Sequence, residues 1–107
     1  ISITGIKVKG FLGMLKFMRY TTPSFAAARK ANGNLFCDSK KINKYYHTLT
    51  AWENKNKMMD YLRGKHHALA MKNFRSIGTG SVYGYEDDLM PSWEYAIKKW
   101  KQNFKEI

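Results

Sequence analysis

The chain has 107 residues, 44% of them hydrophobic, enough for the core of one domain spanning 1–107. Its 19 basic and 8 acidic residues give a net charge of +11. The lysines are scattered rather than blocked, which predicts a solvated basic surface with weak, salt-sensitive attraction for nucleic acid and no sequence-specific reading of it. A single cysteine, Cys37, excludes an internal disulfide. No apolar run nears the ~20 residues of a membrane span, so no membrane partner is expected. The opening ISITGIKVKG lacks a signal-peptide pattern, and with one free thiol it points to the cytoplasm. A chain that opens on Ile1 is expected to be a piece of a slightly longer one.

Alternation from Ile1 to Lys9 predicts a first strand, with Gly5 as a bulge or point of close approach. Gly10 and Gly13 punctuate a turn. The apolar cluster Phe11, Met14, Leu15, Phe17 and Met18 reads either as helix or as an apolar loop over a pocket. Thr22 and Pro23 then read as N-cap and first residue of a helix over FAAARKA that Gly33 ends. Leu35–Lys41 reads as a second strand, joined through Ile42-Asn43-Lys44 to a third over Tyr45–Trp52. On that third strand Tyr45, His47, Leu49 and Ala51 share one face, and Tyr46, Thr48, Thr50 and Trp52 the other.

At Glu53-Asn54 the period changes from two to 3.6, with Asn54 placed as an N-cap. Two helical runs fill Lys55–Arg75, interrupted by Gly64, and the second puts His67, Met71 and Phe74 on one face. Ile77–Gly80 reads as a turn and Ser81–Glu86 as the fourth strand. Ser92 opens a last helix whose apolar stripe is Trp93, Ala96, Ile97 and Trp100. The order β-α-β-β-α-β plus a C-terminal helix is the ferredoxin-like α+β arrangement: four antiparallel strands with helices on one face. The other face is left open unless the last helix covers it. An open apolar face predicts a homodimer.

The run TLTAWEN, the amphipathic helix after it, then Gly64-Lys65-His66-His67, the pair Ala70-Met71 and the later VYGYE resemble small dimeric α+β barrel proteins of the antibiotic-biosynthesis-monooxygenase type. The resemblance is nearest to bacterial proteins grouped with spheroidene monooxygenase. It implies an apolar pocket between sheet and helices, monooxygenase-like chemistry on a small hydrophobic ligand, and haem as one candidate cofactor. It also implies a site histidine followed by a methionine on the same face, which places His67 with Met71; His66 competes for the role. Haem-degrading members use an asparagine in the first strand, a helix tryptophan and a histidine ten residues later. Here the first strand has no asparagine, and Tyr61 and Met71 stand at the other two places, which argues against that mechanism.

Among the abundant aromatic and methionine residues, Trp52, Tyr61, Met71, Phe74, Met14 and Met18 are the candidates to line such a pocket. His67 and His66 are the candidates for proton transfer or iron ligation. His47, mid-strand, and Cys37 read as structural. No metal-binding motif is present. A non-catalytic binder of a small apolar anion is the competing reading. A nucleic-acid module is the third, although the ribonucleoprotein signature is missing.

Overall fold

A computed structural model describes residues 1–107. Five antiparallel strands form one sheet in the order β2-β3-β1-β4-β5: β1 Ser2–Val8, β2 Asn34–Ile42, β3 Tyr45–Trp52, β4 Gly78–Gly84 and β5 Lys105–Glu106. Five helices connect them: α1 Gly10–Lys30, α2 Lys55–Leu62, α3 Lys65–Lys72, the single turn α4 Phe74–Ile77, and α5 Trp93–Asn103. This is the ferredoxin-like α+β order with a last helix. The short edge strand β5, which pairs Ser81 with Glu106, is an addition the sequence did not announce.

The alternation along β1 and β3 divides two environments. Ile3 and Leu49, partners in register, are fully buried against Ala96, Ile97 and Trp100 of α5. The last helix therefore covers the sheet face opposite α1, α2 and α3. α5 is positioned at its start by Ser92, whose hydroxyl accepts from the Tyr95 amide at 3.1 Å. Trp100 anchors its far end, donating from Nε1 to the Ser81 carbonyl at 3.1 Å.

Two boundaries differ from the sequence expectation. One helix of 21 residues runs through the Gly10–Met18 cluster and through Pro23, so Thr22 is not an N-cap. Proline's fixed φ is helical, although it forfeits the bond to the carbonyl four residues back and its ring crowds that carbonyl. Burial of Ser24 and Ala28, one turn apart, on the sheet side offsets that loss. Gly10, at φ +58, lets the chain swing out of β1 directly into this helix. β4 begins at Gly78 rather than Ser81 because its glycines are the points of closest approach. A Cβ on Gly78 would collide with the Lys7 carbonyl, and one on Gly80 would stand 2.7 Å from the Phe74 ring.

Candidate functional site

The second sheet face carries a cavity of about 380 Å³ between the strands and α1, α2 and α3. Its floor follows from the strand register. Ser2 pairs with Thr50 and Thr4 with Thr48, so four hydroxyl residues form a square on adjacent strands. Ile6, Val82 and Trp52 extend the floor outward, and the helices supply Thr21, Ser24, Phe25 and Ala28 from α1 and Met58 and Tyr61 from α2. In a chain of net charge +11, no Lys, Arg, Asp or Glu lines this cavity.

Five sequence candidates meet here: Trp52, Tyr61, His67, Met71 and Phe74. Trp52 stacks on Tyr61 with centroids 5.3 Å apart, and the His67 ring meets Tyr61 edge-on at 5.4 Å. The Tyr61 hydroxyl donates to the Ser24 carbonyl at 2.8 Å. The 2.7 Å contact between the two side-chain oxygens must then carry the Ser24 hydrogen, donated to Tyr61 Oη. Burial pushes the Tyr61 phenol above its usual range, only partly opposed by the Ser24 bond, so it stays protonated. The Trp52 Nε1–H is buried without a protein partner.

His67 sits in the first turn of α3, where Gly64 breaks the chain between two helices and turns the new one back over the cavity. Its Nδ1 lies 3.2 Å from the Leu62 carbonyl. A carbonyl only accepts, so Nδ1 bears the hydrogen and Nε2 keeps the lone pair in the neutral ring. Burial pushes the imidazole pKa down, against the opposing effect of the Leu62 bond, and holds the ring in that neutral form. His67 is the one lining group with basic chemistry near neutral pH.

Three candidates stand elsewhere. His66 is exposed, because adjacent residues on a helix point about 100° apart and His67 takes the inward position. Met14 shares a helical face with Thr21 and Ala28 but lies two turns nearer the start of α1, about 10 Å along its axis and past the cavity. Met18 is exposed on the outward side of α1. The sequence offers both as pocket candidates, in a cluster that reads either as helix or as an apolar loop over a pocket, and the structure makes that cluster the first half of α1. The hydroxyl floor went unread, since Ser2, Thr4, Thr48 and Thr50 look like ordinary strand residues. The signal lay in their shared alternation, which becomes a patch only once β1 is paired with β3.

The remaining titratable groups belong to the framework. His47 is buried on the α5 side, its Nδ1 3.1 Å from the Thr4 carbonyl and its ring edge-on to Trp100. Burial pushes the Cys37 thiol up to about 11, which leaves it protonated and unreactive. No group of three or more His, Cys, Asp or Glu residues is placed to hold a metal ion. A larger cleft of about 840 Å³ at the strand ends shares Trp52, Met58 and Gly84 with the cavity, and it is rimmed by Glu53, Glu86, Asp87 and Asp88. It contains no histidine.

Among solved structures the fold has clear counterparts. SnoaB from Streptomyces nogalater, a cofactor-independent oxygenase solved as a point mutant, superposes with a TM-score of 0.68 at 11% identity over 83% of this chain and 92% of that one. A candidate antibiotic biosynthesis monooxygenase from Nitrosomonas europaea gives 0.65 at 14% identity, covering 80% and 97%. A Bacteroides thetaiotaomicron protein of unknown function, described as a possible oxidoreductase, gives 0.69 at 12% identity, covering 80% and 94%. No family model and no curated protein matches the sequence. The chain thus shares the ferredoxin-like α+β fold of these structures. No helix is long and apolar enough to cross a membrane.

Proposed function

We propose that this protein is a monooxygenase-like enzyme that oxidises a small, neutral, electron-rich aromatic substrate, with His67 as its general base. The observation that carries the reading is a neutral imidazole at the edge of a hydroxyl-floored cavity lined by no charged side chain. Desolvating an anion there without a cation to receive it is costly, so the substrate enters uncharged. At about 380 Å³ the cavity is near the small end of ligand pockets, roughly 300–1,000 Å³, which fits two or three fused rings and not a carotenoid-length polyene.

Triplet dioxygen accepts electrons one at a time, so an oxygenase without a cofactor must draw them from its substrate. The substrate therefore needs an enolisable position, such as a methylene flanked by aryl and carbonyl groups. His67 Nε2 removes a proton from that carbon, and the Ser2, Thr4, Thr48 and Thr50 hydroxyls donate to the enolate oxygen in place of water. One electron passes from the enolate to dioxygen, and the two radicals combine to a hydroperoxide anion. This anion takes the proton held on His67. Loss of water from the hydroperoxide leaves a carbonyl: CH2 + O2 gives C=O + H2O. The SnoaB fold supports this reading, being that of a cofactor-independent oxygenase.

Haem does not fit the residues present. Its two propionates find no lysine or arginine in the lining, although His67 Nε2 has the chemistry of an axial ligand. A homodimer belongs to the same proposal. The last helix covers the sheet face, so the motive is now the small core: 17 of 107 residues are buried, while Leu35, Leu89 and Met90 stay exposed around the strand-end cleft. Light scattering should give twice 12.5 kDa.

The functional test is oxygen uptake with a panel of neutral, enolisable fused-ring ketones and their carboxylated analogues. The parent should consume oxygen with the neutral set and His67→Ala should lose about a hundredfold or more of kcat/KM, the scale of a missing general base. Tight binding with no oxygen consumed would make the protein a ligand carrier instead.

A further inference from the structure

The first half of α1 shows a feature that the cavity does not use. Phe11, Leu12, Leu15 and Met18 are 77%, 73%, 51% and 61% exposed. At 100° per residue, Phe11, Leu15 and Met18 fall within about 60° of one another, with Leu12 and Arg19 beside them and Lys16 at the edge of the same outward arc. The opposite arc is used for packing. Gly13 is buried so closely that a Cβ would stand 2.7 Å from the Ile77 carbonyl, and Phe17 packs on Tyr46. The outward stripe is therefore fixed in place by the fold.

The stretch of sequence that carries the stripe has charge of one sign. The first 37 residues contain six basic side chains, Lys7, Lys9, Lys16, Arg19, Arg29 and Lys30, and no acidic one. None of them is neutralised, since the one ion pair in the structure joins Arg63 to Asp60. Four large apolar side chains standing off a helix and bounded by unpaired cations are the composition of a helix that lies in a bilayer interface, with apolar groups at acyl depth and cations at the level of anionic headgroups. A second copy of this chain would bring the same positive charges face to face.

We propose that the Phe11–Arg19 segment of α1 docks this protein on an anionic lipid surface. Docking requires a surface-lying helix only and no spanning segment. Thr21, Ser24, Phe25 and Ala28 of the same helix line the cavity, so the docked face places the cavity beside the bilayer, from which an apolar substrate partitions.

Co-sedimentation with vesicles tests this. The parent should pellet with phosphatidylcholine vesicles containing about one-third phosphatidylglycerol and stay in solution with phosphatidylcholine alone. The double variant F11S/L15S, unchanged in circular dichroism because both side chains are exposed, should lose about tenfold or more of the partition coefficient, and K16E/R19E should do the same. Several results would overturn the proposal. They are a parent that stays in solution, F11S/L15S binding like the parent as charge-only adsorption would, F11S/L15S failing to fold, or F11S/L15S dissociating an oligomer, which would make the stripe a contact between copies.

Discussion

The indole of Trp100 lies against the bare Cα of Gly5, so closely that a methyl carbon on Gly5 would stand 2.5 Å from Trp100 Cζ2 and 2.9 Å from His47 Cε1. The pair locks α5 to the central strand, and Gly5 is flanked by Thr4 and Ile6, which face the cavity on the other side. Gly5→Ala should therefore destabilise by about 1–3 kcal/mol or more, the scale of overpacking a filled core. Chemical denaturation of the variant measures it. A variant as stable as the parent would mean that the indole is free to move aside.

Tyr61 and Ser24 bind α2 to α1 across the cavity roof, and the direction of their hydrogen bonds makes the two residues unequal. Tyr61→Phe removes the donor to the Ser24 carbonyl and the acceptor for the Ser24 hydroxyl together, and Ser24 is buried. The expected loss is about 1–3 kcal/mol. Ser24→Ala leaves the bond from Tyr61 to the carbonyl in place and should cost less, about 1 kcal/mol. Thermal unfolding of the two variants ranks them, and a larger loss for Ser24→Ala would contradict the ranking.

Acid should weaken the fold through two imidazoles. Burial holds His67 and His47 below the usual value of 6.5, in each case against a backbone hydrogen bond that raises it. A depressed pKa means that the folded state prefers the neutral ring. The stabilisation is complete above about 6.5, the unfolded pKa, and is lost as pH falls through the folded value. The melting temperature should drop between about pH 7 and pH 5, and His67→Gln should remove part of that slope. A slope identical in parent and variant would show that His67 does not titrate against the fold.

Much of the architecture was legible because burial writes itself into periodicity. β3 carried the expected bounds, Tyr45–Trp52, since both its faces are covered and both alternate. Asn54 caps α2 as expected, accepting from the Lys57 amide at 2.9 Å. Pro23 misled because local rules treat proline as a helix start, and only the buried pair Ser24 and Ala28 reveals why the helix continues through it. The glycines of β4 read as a turn because the strand they must approach, β1, lies far away in sequence, with Gly78 paired to Val8. The lining of the candidate cavity was legible on its helical side, where Tyr61, His67 and Met71 cluster in sequence. It was illegible on its floor, which exists only where two strands distant in sequence are paired. The choice between His66 and His67 needed the angle at which α3 leaves Gly64.

Anaerobic deuterium exchange tests the central claim most directly, because it isolates proton removal from every later step with oxygen. The parent, held in D2O without oxygen beside a neutral, enolisable fused-ring ketone, should exchange the substrate's activated C–H for deuterium, followed by NMR. His67→Ala should slow this by about a hundredfold or more, the scale of a lost general base, while His66→Ala exchanges like the parent. Equal exchange in the parent and His67→Ala would show that the imidazole is not the base and would contradict the assignment of the site.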